Sequence, residues 1–205
     1  MKVVILATEA SGDYLGAELI KAIKKKKKKV EICGIGGELM EKEGFDSWVS
    51  INKFNAIGIY EVLIQLFKFI KIMRFITNKI FDYRPDLVIT IDSPSFSYRI
   101  IKKIQILRSN ARFFHYVAPS VWAWKSYRAK LFSKLYDRMF TLFSFEPKYF
   151  IKHGMKTKFV GHPIFFQSYK QIKRKKLIIF LPGSRKVEIK RNMDKLRMVI
   201  HKSEK

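Results

Sequence analysis

The chain has 205 residues, with 42 Lys and Arg against 17 Asp and Glu, so its formal net charge is +25. This length can bury one well-formed core and part of a second, and the charge favours anionic partners such as nucleic acid, acidic lipid headgroups or phosphorylated substrates. The single cysteine, Cys33, excludes an internal disulfide and fits a reducing cytosol. The apolar run after Met1 is too short for a secretory signal, and none is predicted.

The amino-terminal residues predict a strand, a turn of small residues and a helix. Residues 2–7 are an apolar run, and apolar residues then recur at helical spacing up to a run of lysines at 24–29, which we interpret as solvated. Free N–H groups at a helix start suit an anion or a sugar hydroxyl. Four residues of the turn are therefore candidate substrate-binding residues: Glu9, Ser11, Gly12 and Asp13. Ser11 or Asp13 is equally suited to capping the helix.

A long helix is predicted at 58–81. It is apolar over a wide arc, and Lys68, Lys71 and Arg74 share the other face. These charges argue against a membrane-spanning helix, which needs about 20 predominantly apolar residues. Two interpretations remain open: the helix lies in a membrane interface, or it covers a parallel sheet with ordinary solvated lysines.

The clearest strand is 86–91, whose apolar residues are typical of a strand buried on both faces. It ends at Asp92-Ser93-Pro94, so Asp92 is predicted at the carboxyl edge of the sheet, where open α/β sheets bind ligands. A carboxylate there can take a proton from a nucleophilic hydroxyl. The alternative is that Asp92 caps the following helix, which we expect to continue over 100–107.

The stretch ARFFHYVAPSVWAWKSYR, residues 111–128, carries the densest set of candidate site residues. A strand at 112–115 breaks at a Pro-Ser turn, which places the next residues at the same carboxyl edge. His115 offers a ring nitrogen, Ser120 a hydroxyl, and Trp122 and Trp124 a flat apolar wall with N–H donors. Core packing of both tryptophans is the alternative.

The remaining segments alternate strands with helices, which predicts an α/β fold with a doubly wound, mostly parallel, Rossmann-like sheet. Further strands are predicted at 30–34, 45–49, 138–143 and 157–160, the last followed by His162, and further helices at 129–136, 145–153 and before Gly44. We divide the chain into an N-terminal domain at 1–166, a basic linker at 167–176 and the incomplete start of a second domain at 177–205.

In that last segment a strand at 177–181 and a helix at 187–200 flank the turn Pro182-Gly183-Ser184-Arg185. Such a unit can hold a diphosphate through backbone N–H groups and a bidentate guanidinium. A lone strand and helix cannot bury their apolar face. We therefore expect the segment to be disordered, docked on the first domain, or completed by another chain, either a complementary C-terminal half or a second copy.

The chain resembles the bacterial lipid-A-disaccharide synthases, relatives of the two-domain B-type glycosyltransferases. The resemblance rests on motifs in the family's order: ATEASGDYLGA at 7–17, GIGGELMEKEGF at 34–45, GIYEVL at 58–63, RPDLVITIDSPSF at 84–96, HYVAPSVWAWKSYR at 115–128, FVGHPI at 159–164 and LPGSR at 181–185. It implies transfer of a diacylglucosamine from UDP to the 6-hydroxyl of diacylglucosamine 1-phosphate, with release of UDP. It implies neither a catalytic metal nor another cofactor.

By the same resemblance, Asp92 is the catalytic base and Arg185 stabilises the leaving diphosphate. The other candidates are carried over more loosely as substrate-binding residues: Glu9, Ser11, Gly12, Asp13, His115, Ser120, Trp122, His162, Gly183 and Ser184. Both implied substrates carry acyl chains and phosphate, so we expect a cytoplasmic protein that is peripheral on the inner face of the cytoplasmic membrane, where the net charge favours an anionic surface.

The family's second domain is represented by one predicted strand and one helix. We therefore expect a fragment, a truncated reading frame or one piece of a split enzyme, inactive on its own. The alternatives are a UDP-sugar epimerase of the same fold, an inactive remnant, and a basic nucleic-acid-binding protein. For the last, aromatics between basic residues would suit single strands, but here the aromatics lie mostly inside apolar periodic elements, so no specific nucleic acid is expected.

Overall fold

The computed structural model describes residues 1–27, 29–51, 62–166, 176, 178–183 and 186–203. The chain divides into two compact units, Met1–Gln167 and Ser168–Lys205. The first unit contains the sheet and the residues around it, and the second contains one described helix.

Seven strands form one sheet in which every neighbouring pair is parallel. They are β1 (Lys2–Ala7), β2 (Glu31–Gly36), β3 (Asp46–Ser50), β4 (Leu87–Ile91), β5 (Arg112–Tyr116), β6 (Arg138–Thr141) and β7 (Thr157–Phe159), in the spatial order β3-β2-β1-β4-β5-β6-β7. The strand order reverses between β1 and β4. A crevice for a ligand is expected at that reversal, beyond the carboxyl ends of the strands. The predicted doubly wound α/β fold is confirmed.

The helices are α1 (Ala10–Lys26), α2 (Glu38–Lys42), α3 (Val62–Tyr83), α4 (Pro94–Lys103), α5 (Arg128–Leu135), α6 (Pro147–Ile151) and α7 (Lys186–Ser203). Short 3-10 helices follow at Gln105–Ser109 and Pro163–Phe166. The helix expected to continue over 100–107 therefore ends at Lys103 and tightens into a 3-10 turn. The segment predicted as a helix at 145–153 is helical only over Pro147–Ile151.

Two apolar cores cover the two faces of the sheet. Val4 and Leu6 of β1 face a core shared with α3, α4 and α5, whereas Val3 and Ile5 face a core shared with α1 and α2. Successive side chains of a strand point to opposite faces, so a strand covered on both sides must be apolar throughout. This explains why β1 is apolar after Lys2 and why β4 is apolar apart from Thr90.

Among the side chains that the structure describes, helix α3 has both packed and exposed apolar residues. Its Met73, Ile76 and Ile80 side chains are buried against the sheet, whereas Phe67 is 72% exposed and Ile70 and Phe75 are also exposed. The start of the predicted helix, 58–61, lies outside the described residues. Within the part of the chain that the structure describes, no helix is both long and apolar enough to cross a membrane.

The strand predicted at 177–181 is absent at its described positions, 178–181. Ile178, Ile179 and Leu181 are exposed there. A strand is stabilised by hydrogen bonds to a neighbouring strand, and the described part of 168–205 contains no second strand that could supply them. The apolar run alone was therefore insufficient to form this element. The helix predicted after it is present as α7.

Candidate functional site

Asp92 lies in the first turn beyond β4, and its backbone is held from two sides. Its N–H donates to the Tyr116 carbonyl oxygen at 2.9 Å, and its own carbonyl oxygen accepts from Ser97 Oγ at 2.8 Å. Asp92 and Ser93 both have positive φ, 53° and 43°. Non-glycine residues in this region cost about 1–3 kcal/mol each and persist where the surrounding structure holds them.

The end of β5 has a matching distortion. Val117 has φ 75°, and its N–H donates to the Phe140 carbonyl oxygen at 3.0 Å. Lys125, in the turn before α5, has φ 53°. Among the described residues, five non-glycine residues have positive φ, and four of them follow β4 or β5. Backbone strain of this kind concentrates at functional sites, which supports the carboxyl ends of these two strands as the site.

A cleft of about 350 Å³ lies at these strand ends. It is lined by Asp92, Pro94, Val117, Ala118, Pro119, Ser120, Trp124, Lys125 and Arg128. The structure thus brings together Asp92 and Ser120, two residues predicted from separate segments of the sequence. The volume is at the small end of the range for ligand pockets, which suits a sugar or sugar phosphate better than a whole acylated molecule.

The environment of Asp92 favours a proton acceptor. Burial raises the pKa of this carboxyl, and the negative charge of Glu9 adds to the rise, against an opposing hydrogen bond from the Ser93 backbone. A base works best when its pKa approaches the operating pH, because it then binds the transferred proton more strongly. The side chain is partly accessible and lines the cleft, so a bound hydroxyl can reach it.

The two tryptophans have different positions. Trp122 packs edge-on against Phe145, with ring centroids 4.9 Å apart, and contacts Tyr149. Trp124 is 71% exposed and lines the cleft, with Lys125 Nζ 4.4 Å from its ring centroid. The packing interpretation therefore fits Trp122, which was selected from the sequence as a substrate-binding residue, and the wall interpretation fits Trp124.

His115 lies beneath the cleft and is completely buried. Its Nδ1 is 2.6 Å from Thr90 Oγ1, which is 3.0 Å from the Tyr136 hydroxyl, and its ring packs against Phe132. Burial lowers the pKa of His115 to about 3, although the Val117 backbone opposes this shift. A neutral ring without access to solvent cannot contact a ligand in the cleft, so the structure gives His115 an internal role.

Asp13 and Gly12 also have internal roles. The Asp13 carboxylate is 4% exposed and accepts hydrogen bonds from the Gly37, Leu39 and Met40 N–H groups, at 2.8 to 3.1 Å. It therefore caps the start of α2, rather than α1 or a sugar. At Gly12 an added Cβ would lie 3.2 Å from the Ala7 Cβ, so the absence of a side chain lets α1 approach β1 closely.

Glu9 remains accessible and reaches the turn after β4. Ser93 Oγ donates to Glu9 Oε1 at 3.1 Å and accepts from Thr8 Oγ1 at 2.7 Å. These bonds link the turns that follow β1 and β4 across the strand-order reversal. Sequence analysis missed Ser93, because its importance comes from contact with residues more than 80 positions away. Ser11 is exposed at the start of α1.

His162 of the first unit lies outside the cleft lining. His162 accepts a hydrogen bond from the Ile164 N–H through Nδ1 at 3.1 Å, near a second hollow of about 320 Å³ lined by Tyr14, Glu18, Tyr116, Val160, Gly161, Pro163 and Phe166. Gly183 belongs to the second unit and has φ 118°. Ser184 and Arg185 lie outside the described residues. Among the described residues, no three His, Cys, Asp or Glu side chains form a metal-holding group.

Sequence analysis also missed Lys125 and Arg128. Both line the cleft, and the Arg128 Nη2 donates to Ser95 Oγ at 3.1 Å. The available signal was the pair of basic residues within WKSYR, directly after the aromatic cluster. In a chain with 42 basic residues this signal is weak, because most such residues are solvated.

The strand order and the carboxylate in the cleft at the ends of β4 and β5 define a Rossmann-like α/β protein with a candidate small-ligand site at the carboxyl edge of its sheet. Comparison of sequences identifies the family. The lipid-A-disaccharide synthetase family matches residues 3–205, and the chain belongs to this family.

Individual relatives agree with this assignment. The chain is 38% identical over 204 residues to the lipid-A-disaccharide synthases of Rickettsia bellii and Rickettsia prowazekii, which covers 94% of this chain and 53% of each relative. It is also 38% identical over 203 residues to that of Hydrogenovibrio crunogenus, covering 93% of the chain and 53% of the relative. The chain thus spans about half the length of the curated relatives it matches.

Solved structures agree on the fold. A putative UDP-N-acetylglucosamine 2-epimerase from Listeria monocytogenes matches with TM-score 0.55 and 14% identity, over 76% of this chain and 43% of its own. UDP-GlcNAc 2-epimerase from Neisseria meningitidis matches with TM-score 0.53 and 12% identity, over 77% and 45%. At these identities the likeness concerns the fold alone.

Proposed function

We propose that this chain is the acceptor-side part of a glycosyltransferase of lipid A biosynthesis. The complete enzyme would transfer a 2,3-diacylglucosamine from its UDP derivative to 2,3-diacylglucosamine 1-phosphate, giving lipid A disaccharide 1-phosphate and UDP. The observation that carries this proposal is Asp92, a carboxylate with a raised pKa held by a strained turn in the cleft. Membership of the family supports the choice of reaction.

In the proposed step the 6-hydroxyl oxygen of the acceptor attacks C1 of the donor sugar. Asp92 takes the hydroxyl proton as the new C–O bond forms. The bond from C1 to the diphosphate breaks, and its electron pair leaves with UDP. Attack from the side opposite the leaving group inverts C1. Because the base and the leaving group lie on opposite sides of the reacting carbon, one domain can supply the base and the other the diphosphate site.

We assign the diphosphate site to the segment 177–205, which would begin the donor domain after a basic linker at 167–176. Gly183, Ser184 and Arg185 would form the turn that holds the leaving diphosphate, with Arg185 stabilising its developing charge. The chain spans about half the length of its curated relatives, and the segment 177–205 would form only the start of such a pocket. We therefore expect these 205 residues, tested without a C-terminal half, to release little or no UDP when mixed with both lipid substrates.

The test is Asp92→Asn in a protein completed with the C-terminal half of a relative. We expect turnover to fall by about 10²- to 10⁴-fold, as is typical of a lost general base, with little change in acceptor binding. In the parent, the rate should rise with pH through a midpoint above the ordinary pKa of Asp, because only the ionised carboxylate accepts the proton. Asp82→Asn, which makes the same change at an exposed carboxylate outside the cleft lining, is the control. Unchanged turnover of Asp92→Asn would remove it from the mechanism.

We also propose that the protein binds peripherally to the cytoplasmic face of the cytoplasmic membrane. The exposed Phe67 and Ile70 of α3 and the exposed Lys71 and Arg74 support this. Each basic residue near an anionic surface contributes about 1 kcal/mol. Phe67→Ser with Ile70→Ser should reduce flotation with anionic vesicles at high salt. The control is Ile106→Ser, which removes an exposed apolar side chain elsewhere. If vesicle binding disappeared at high salt and was unaffected by the double substitution in α3, the protein would adsorb by charge alone, to membranes and nucleic acid alike.

The rival enzyme is a UDP-sugar epimerase, which the likeness of the fold supports. It is distinguished by its reaction, since an epimerase converts the UDP-sugar without an acceptor. If the completed protein epimerised a UDP-sugar and formed no disaccharide, the glycosyltransferase proposal would be wrong.

A further inference from the structure

The lining of the cleft contains two cations and one carboxylate. Lys125 and Arg128 are the cations, and Asp92 is the carboxylate. Among the described residues, neither cation lies within ion-pair distance of a carboxylate. In contrast, Arg108 and Arg112 of the same unit both contact Asp137. Two cations that line a cleft without carboxylate partners provide a favourable position for an anion.

Local contacts orient both cations. Lys125 Nζ lies 4.4 Å from the Trp124 ring centroid, and Arg128 Nη2 donates to Ser95 Oγ at 3.1 Å. Ser95 belongs to the first turn of α4, whose amino-terminal dipole favours negative charge nearby. A guanidinium bonded through one nitrogen still has other N–H groups to donate, and a phosphate can accept two of them.

We propose that Lys125 and Arg128 bind the phosphate monoester of the acceptor and thereby direct its hydroxyl to Asp92. This inference rests on the proposed function, because it takes the acceptor to be a hexosamine phosphate. A phosphate monoester carries a charge of about −1.5 to −2 near neutral pH, which complements two cations. The cleft of about 350 Å³ accommodates the sugar phosphate headgroup, and the acyl chains extend outside it.

The assignment predicts specificity. An acceptor without the phosphate should lose these contacts and bind more weakly, whereas Asp92 recognises only the hydroxyl. The diphosphate of the donor is the other anionic phosphate group that could bind to these two cations. Comparing glucosamine 1-phosphate with UDP distinguishes the two, because our assignment requires that Lys125 and Arg128 act on the monoester.

The experiment titrates the 205-residue chain with glucosamine 1-phosphate, glucosamine and UDP by calorimetry, at low and high salt. Lys125→Gln and Arg128→Gln should each raise the Kd for glucosamine 1-phosphate about tenfold, as expected for a charged hydrogen bond. Arg128→Lys should have a smaller effect, because lysine keeps the positive charge but lacks the paired N–H donors of the guanidinium. The controls are Lys152→Gln and Arg99→Gln, which remove cations that also lie over aromatic rings but outside the cleft.

Equal losses in the controls and the cleft variants would overturn the proposal, since nonspecific charge would then explain binding. It would also be overturned if the cleft variants weakened UDP binding and left glucosamine 1-phosphate binding unchanged. Circular dichroism and Tm identify a variant that does not fold. In that case the Kd of the other cleft variant tests the proposal. Failure of the proposed function is seen separately, as absence of disaccharide formation by the completed parent protein, whatever the Kd values.

Discussion

The cleft and the buried groups beneath it are built from the same two strands, but they have opposite properties. Thr90 and His115, together with Tyr136, form a buried hydrogen-bonded triad with normal strand and helix geometry nearby. Two residues further along each strand, Asp92 and Val117 have positive φ and line an open cleft. The comparison shows a buried, hydrogen-bonded layer beneath strained residues that line the cleft. We expect ligand binding and catalysis in the cleft, and we expect the buried layer beneath it to contribute to the free energy of unfolding.

The largest expected stability effect concerns His115. Its pKa is lowered in the folded protein from 6.5 to about 3, so below pH 6.5 the unfolded chain takes up a proton that the folded chain does not. Stability should therefore decrease as the pH falls from 6.5 towards 3, by up to about 1.4 kcal/mol per pH unit from this group. His115→Phe should make the free energy of unfolding less dependent on pH over this range. The measurement is urea unfolding of both proteins across that range, and an identical slope would contradict the role of His115.

The second prediction compares the stability effects of the packed Trp122 and the cleft-lining Trp124. Trp122→Ala should reduce the free energy of unfolding by about 2–3 kcal/mol, because the ring loses its contacts with Phe145 and Tyr149. Trp124→Ala removes a mostly exposed ring and should cost less than about 1 kcal/mol. Denaturant midpoints at constant m-value measure both. Equal costs would mean that the two side chains are not divided between core and cleft.

The smallest effect tests the strain itself. Arg84, after α3, and Lys125, in the cleft, have similar positive φ of 50° and 53°. Glycine adopts this conformation without strain, so Arg84→Gly and Lys125→Gly should each stabilise the protein by up to about 1 kcal/mol. Lys125→Gly should also weaken binding of glucosamine 1-phosphate, whereas Arg84→Gly should not. Loss of stability in both variants would show that the backbone at these positions is not strained.

Sequence reasoning predicted the element order and the strand that ends at Asp92, because buried parallel strands leave a clear pattern of continuous apolar residues. It was less successful with the side chains of the central stretch. His115 was expected in the cleft and is buried, and Trp122 was selected although Trp124 lines the cleft. The alternation of side chains along a strand determines which face of the sheet a residue occupies. Whether a residue near the end of the strand lines a cleft depends on the path of the following turn.

Residues with long-range partners could not be assigned from the sequence at all. The carboxylate of Asp13 suits a helix cap in any sequence, but its partners lie on α2 rather than on its own helix. The strand expected at 177–181 had a suitable composition, but the described part of its unit offers no neighbouring strand.

By itself, the sequence determined the doubly wound α/β fold, the family and the placement of a carboxylate at the carboxyl edge of the sheet. These follow from periodicity and from local motifs, which are properties of neighbouring residues. The tertiary structure alone decided that Lys125, Arg128 and Asp92 share one cleft, that His115 is buried, and that Ser93 joins two turns. The physical reason is that burial, charge pairing and pKa depend on contacts between segments distant in sequence, which only the packing of the strands and helices creates.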